Sequence, residues 1–269
     1  MRPRFYASVI LALLLAAPVF AQAPTYTRTP GDVLRYRIAT DSESTTFTPS
    51  AAFDRMFERD LDLAFTFEEA DSVEAIVEGF DLESGNPVEP ESYDLADAIE
   101  GAFRFALRAD SMGSVVQRPE LKRDPVIGSS IAGELKLFFP PLPQEPLVEG
   151  TTWTWSRSVA HDKGGTHSEA YTYTVVDETT MNGYTVTVIE MTGETTTQGL
   201  FESSTGSEVD LDNKDTHNTT YYFAVDEGLL VGFDRTTETK AYSEIEAMGR
   251  TMTSDRESQT TTKARLRSR

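Results

Sequence analysis

Residues 171–188 read YTYTVVDETTMNGYTVTV. Tyr171, Tyr173 and Val175 alternate with threonines, and after Asn182-Gly183 the alternation resumes. A period of two puts successive side chains on opposite faces of an extended chain, the pattern of a strand with one buried face. Asn-Gly between two such runs marks a tight hairpin turn, because both of its central residues take positive φ. The same alternation sets Leu61, Leu63, Phe65 and Phe67 against Asp62, Ala64 and Thr66, and Phe103, Phe105 and Leu107 against Arg104 and Arg108. The chain is therefore expected to be all-β: a single curved antiparallel sheet or incomplete β-barrel of roughly ten to twelve strands. One or two short helices accompany it.

The first helix is expected over Asp94–Glu100, where Leu95 and Ile99 lie one turn apart before Gly101. The second is expected over Ser129–Phe139, with Ile131, Leu135 and Phe138 on one stripe, a serine cap and prolines at its end. Gly133 weakens it. Residues 50–59 fit helix or strand equally, and residues 210–220 read as loop or solvated strand face. The terminal KARLRSR alternates four cations with Ala264, Leu266 and Ser268, which suits a last edge strand protected by charge.

Met1–Ala23 has a basic start, an apolar core from Ala7 to Phe20 and small residues at two cleavage points, the pattern of a signal peptide. Residues 24–269 are then one β-rich domain, exported to the periplasm or extracellular space without stable membrane insertion. The chain has no cysteine, which rules out a lipidated cysteine, a thiol nucleophile and disulfides. Its formal charge of −20 becomes −22 once the leader, with two arginines and no acid, is removed. Such an excess argues against nucleic acid and anionic lipid as partners.

Two half-repeats are expected, about 24–145 and 146–269. Gly31-Asp32-Val33-Leu34-Arg35-Tyr36 matches Gly150-Thr151-Thr152-Trp153-Thr154-Trp155 as glycine, two residues, large apolar, polar, aromatic. A second match pairs residues 109–115 with residues 225–231. Between the halves lies LKLFFPPLPQEPLVEGTTWTW, residues 135–155, with four prolines in seven residues. It joins a helix end to the first strand of the second half through a stiff extended connection.

This segment, together with DSMGSV at residues 110–115, resembles an uncharacterised group of exported bacterial β-rich proteins, over about 60 residues by the spacing of these motifs. At fold level the chain is similar to periplasmic lipoprotein carriers of the LolA and LppX type. That resemblance implies a curved sheet around an apolar cavity closed by short helices, and it transfers no functional residue.

Catalytic signatures are missing from the chain. None of His161, His167 and His217 stands by a G-x-S-x-G turn, and His161 and His167 flank a hairpin loop. Asp210, Asp212 and Asp215 lack the glycine of a calcium loop, with Lys214 at an acid position. Glu68 and Glu69, being adjacent on a strand, point to opposite faces. No catalytic residue, cofactor or metal site is expected. The informative residues are apolar: Phe103, Phe105, Leu107, Trp153 and Trp155 form aromatic rows, and Leu137, Phe138 and Phe139 could act as a lid over them. They are the candidate lining for a lipid or other apolar ligand. The alternatives are a structural module with a filled core that docks to an envelope protein and, less favoured, a carboxylate hydrolase.

Overall fold

A computed structural model describes residues 23–26, 29–69, 72–84, 104–107, 131, 133–161, 164–202, 208–247 and 250–269. The strands are β1 (Val33–Thr48), β2 (Ala51–Glu69), β3 (Ser72–Ser84), β4 (Arg104–Leu107), β5 (Thr152–Ala160), β6 (Thr166–Met181), β7 (Tyr184–Glu202), β8 (Glu208–Ala224), β9 (Leu229–Ala247) and β10 (Arg250–Ser268). They form one antiparallel ten-stranded sheet in the order β4-β3-β2-β1-β10-β9-β8-β7-β6-β5. Two meanders, β1 to β4 and β5 to β10, are thus sewn together where the first strand pairs with the last. Among the described residues β4 and β5 remain unpaired edges, so the sheet is open rather than a closed barrel.

The sheet is strongly curved. Asn182, in the β6–β7 turn, donates from Nδ2 to the Leu266 carbonyl on β10 at 3.2 Å. In a flat sheet those strands would stand about 14 Å apart.

Cross-strand partners share a face, so the register arranges the inner face in rows. One row runs Phe80, Leu61, Ile38, Ala264, Phe233, Tyr221, Ile189, Val175 across β3 to β6. Every member is buried. The next row toward the β1–β2 turn runs Arg59, Thr40, Thr262, Arg235, Thr219, Met191, Tyr173, Trp153. The one beyond runs Phe57, Ser42, Thr260, Thr237, His217, Gly193, Tyr171, Trp155. The inner face therefore passes from apolar core to buried polar row to a belt of hydroxyls and one imidazole.

Where the sequence left strand open beside another reading, strand is the outcome: residues 51–59 belong to β2, and residues 210–220 lie wholly within β8. Polar residues fill both faces of that stretch, which hides its alternation. KARLRSR is central rather than an edge, because β10 has β1 on one side and β9 on the other. Its three arginines are paired across the outer face instead: Arg265 with Asp234, Arg267 with Asp62, Arg269 with Asp32. The second expected helix is shorter. Its described helical residues, 131 and 133–136, are helix α1, which ends at residue 136 with Leu137 and Phe138 in a turn. Pro140 disfavours helical geometry in the residue before it, which limits the helix from its C-terminal side. The expected leader, residues 1–22 of it, and the helix at 94–100 lie outside the described residues, as does the 109–115 motif.

Gly31 and Gly150 adopt the same geometry. Both have positive φ, +93° and +87°. Gly31 N–H donates to Phe67 O and receives Phe67 N–H at the next carbonyl, Asp32 O; Gly150 does the same with Val175 and Thr151. Each turn closes with a bond from the residue after the glycine back across three residues, Asp32 to Thr29 and Thr151 to Val148. A side chain strains this backbone, so Gly150→Ala is expected to cost about 1 kcal/mol. Urea unfolding measures it; an unchanged midpoint would refute the assignment of glycine to this turn.

Candidate functional site

The inner face is closed at its apolar end by residues 131–142 of the chain itself. Ile131, Leu135, Leu137, Phe138 and Phe139 are buried in the same cluster as the apolar row. The Phe138 ring lies 4.7 Å from Phe65, 4.9 Å from Tyr36, 5.0 Å from Phe139 and 5.3 Å from Phe233, centroid to centroid. Phe139 meets Phe65 at 5.3 Å and Tyr26 at 5.6 Å, edge to face. Such offset and perpendicular contacts suit the ring quadrupoles.

Polar groups pin the segment at four points, one side chain and three backbone carbonyls. Arg59 pairs with Glu134 on α1, and both are largely buried. The Leu137 carbonyl accepts from Tyr221 Oη at 2.8 Å and from Arg235 Nη2. Farther on, Pro140 O accepts from Tyr26 Oη at 2.6 Å and Pro141 O from Trp153 Nε1 at 2.9 Å. Proline has no N–H, so its carbonyl is the one backbone group through which Pro140 or Pro141 can be held.

Leu137, Phe138 and Phe139 are therefore packed into the apolar cluster of the inner face. Trp153 and Trp155 stand at the β5 edge, stacked on Tyr173 at 5.3 Å and Tyr171 at 6.0 Å. Phe105 and Leu107 lie in β4, opposite the core positions Ala75 and Val73. Phe103 lies outside the described residues.

Next to the plug is a hydrogen-bonded chain that the sequence reading missed. His217 Nε2 lies 3.2 Å from Thr195 Oγ1, itself 2.6 Å from Tyr171 Oη, and His217 Nδ1 lies 3.1 Å from Thr237 Oγ1. A neutral imidazole has one donor and one acceptor, and each finds a hydroxyl here. The signal was present in the period-two series Asp215, His217, Thr219, Tyr221, Phe223, which carries the buried face of YYF back into the polar stretch. Gly193 makes room for it, since a Cβ there would come within 2.6 Å of the Tyr171 ring.

Burial, reinforced by the charge of Arg235 and opposed by Asp215, lowers the His217 pKa to about 4. Folding thus favours the neutral form. The unfolded chain, with an ordinary value near 6.5, binds the extra proton first, so the stability from this group is complete above pH about 6.5 and lost as pH falls through 4. The expected loss between pH 7 and pH 4 is about 3 kcal/mol. Urea titrations of wild type and His217→Gln should differ in pH slope by that amount, and parallel slopes would dismiss it. Burial also raises the hydroxyl pKa values of Tyr36, Tyr173 and Tyr221, keeping them neutral donors.

Two open depressions mark the outer face. One, of about 460 Å³, is lined by Thr192, Asn218, Asp234, Thr236 and Lys263 among others; the second, of about 260 Å³, is mostly acidic, with Asp41, Glu58, Asp60, Asp81 and Glu83. No group of three potential metal ligands occurs among the described residues. Nor does any described helix have the length and apolarity to cross a membrane.

No family model matches the sequence, and no curated protein matches it. Among solved structures the chain is similar to one described as "Lipid-protein interactions in lipovitellin", with 13% identity and a TM-score of 0.44. The match covers 89% of this chain and 25% of that one, so this chain spans about a quarter of its length. Likeness at this level speaks to neither activity nor ligand.

Proposed function

We propose that the protein is a non-enzymatic, exported binding protein that takes a lipid or other apolar ligand on the inner face of its sheet, in the place now held by residues 137–139. One observation supports this reading above others. Among the described residues, the covering of the apolar face that spans β3 to β6 is one short segment of chain, from Leu135 to Phe139 with Ile131 before it. Within it, residues 137–139 present one bonded carbonyl and two buried aromatic rings, a polar head and an apolar tail such as an amphiphile offers. A small insert of this kind can give way to a ligand that makes the same contacts, provided the ligand's differential affinity covers the exchange.

Native mass spectrometry of protein purified from its own host, with uptake of a fluorescent fatty acid, tests the reading. Bound lipid or saturable uptake is expected. Empty protein together with no uptake would overturn it.

The close packing of Phe138 favours a second reading, a structural module whose core is complete and whose partner is an envelope protein docking at a sheet edge. That reading expects no uptake and a single dominant protein in cross-linking.

A further inference from the structure

Arg235 is buried, 5% exposed, on the inner face of β9. Among the described residues its donors reach neutral acceptors: Nε bonds Thr219 Oγ1 at 3.2 Å, and Nη2 bonds the Leu137 carbonyl and, at 3.5 Å, Tyr221 Oη. The guanidinium also lies 4.6 Å from the centre of the Phe233 ring. Arg59, three strands away in the same row, has the carboxylate of Glu134. Arg235 has none within ion-pairing distance among the described residues. The inner-face acids on strands β6 and β8, Glu169 and Asp215, lie two rows farther out, about 14 Å along the strands. Asp215 there accepts from Thr239, and Glu169 stands beside His167.

A buried cation without an anion is costly, and its removal from water is offset only by charge or strong acceptors. A single backbone carbonyl supplies a partial charge where a carboxylate would supply a full one with two oxygens in the geometry of the guanidinium fork. The surroundings give the site a direction. Toward the core lies the apolar row of Phe233, with Phe138 and Phe139 above it; toward the open end lie Thr237 and His217, hydroxyl and neutral imidazole with no negative charge.

We propose that Arg235 and Tyr221 form the anion seat of this site, and that the ligand is a long-chain monocarboxylate, a fatty acid. Its carboxylate replaces the Leu137 carbonyl, and its chain runs into the well filled by Phe138 and Phe139. This inference rests on the binding function proposed above and adds the chemistry of the head group; it revises the expectation against anionic lipid, because net charge acts at the surface while a buried guanidinium sets the local sign. The segment from Leu137 to Phe139 imitates the ligand: an oxygen for the head and two rings for the tail.

The test compares oleate, oleyl alcohol and hexanoate binding to the full protein by calorimetry. Oleate is expected to bind at least tenfold more tightly than the alcohol, hexanoate weakly, and Arg235→Met to erase the preference for oleate. Should that variant fail to fold, carboxyl-labelled oleate on wild type carries the test. Its carbon resonance should stay that of the anion well below the pH at which free fatty acid protonates. Equal binding of oleate and the alcohol would overturn the anion seat and leave the apolar site standing. Binding of neither would remove both. Hexanoate matching oleate would show a simple anion site and overturn the fatty-acid assignment.

Discussion

Phe138→Ala is expected to lower stability by about 4 kcal/mol, the range for a buried phenylalanine whose neighbours cannot collapse into the gap. Collapse is hindered because the neighbours belong to different strands, Tyr36 on β1, Phe65 on β2 and Phe233 on β9, each fixed by a ladder on both sides. The same substitution separates the two functional readings. If the well takes a ligand, the variant has lost part of the plug that competes with it, and oleate should bind it more tightly than wild type. Bound ligand should then restore much of the lost stability by mass action. A plain filled core would be weakened equally and gain nothing from oleate. Thermal unfolding with and without oleate reads both outcomes.

Glu134→Ala is the second large expectation. The side chains of Arg59 and Glu134 are only 3% and 17% exposed, and Arg59 also donates to Thr40 Oγ1 at 3.3 Å. Taking the carboxylate away strips the counter-charge from a buried guanidinium, which costs about 3–5 kcal/mol. Removing both charges is different: Arg59→Met with Glu134→Leu leaves no buried ion and should return most of that loss. A double-mutant cycle by urea unfolding measures the coupling. If the double variant is as unstable as Glu134→Ala, the cost lies in packing and the electrostatic account fails. Because Glu134 sits on α1, this pair also ties the plug to β2, and Glu134→Ala should speed proteolysis around residues 131–142.

Sheet class was legible wherever one face is apolar, as at Leu61 to Phe67 and Tyr171 to Val175, where alternation is visible to the eye. It was ambiguous at residues 210–220, where both faces are mostly polar and loop and solvated strand face read alike. The role of KARLRSR was misjudged because position in the chain says nothing about position in the sheet; pairing of β1 with β10 puts the last strand at the centre. Of the candidate site, Leu137, Phe138, Phe139, Trp153 and Trp155 were singled out on size and spacing alone. Arg59, Arg235 and Tyr221 were not, since nothing near them in sequence distinguishes them from other strand residues.

Alternation, the Asn182-Gly183 turn and the prolines after Phe139 determine by themselves that this chain makes antiparallel strands, where one hairpin turns and that the short helix does not run past Phe139. These are local effects of side-chain direction and backbone geometry, acting over a few residues. Only the tertiary structure decides what shares a row. Arg59 and Arg235 are 176 positions apart in the chain, yet the ladders from β2 to β9 set them in one line beneath residues 134–137. Register couples such distant residues because a slip of one residue would turn every buried side chain outward.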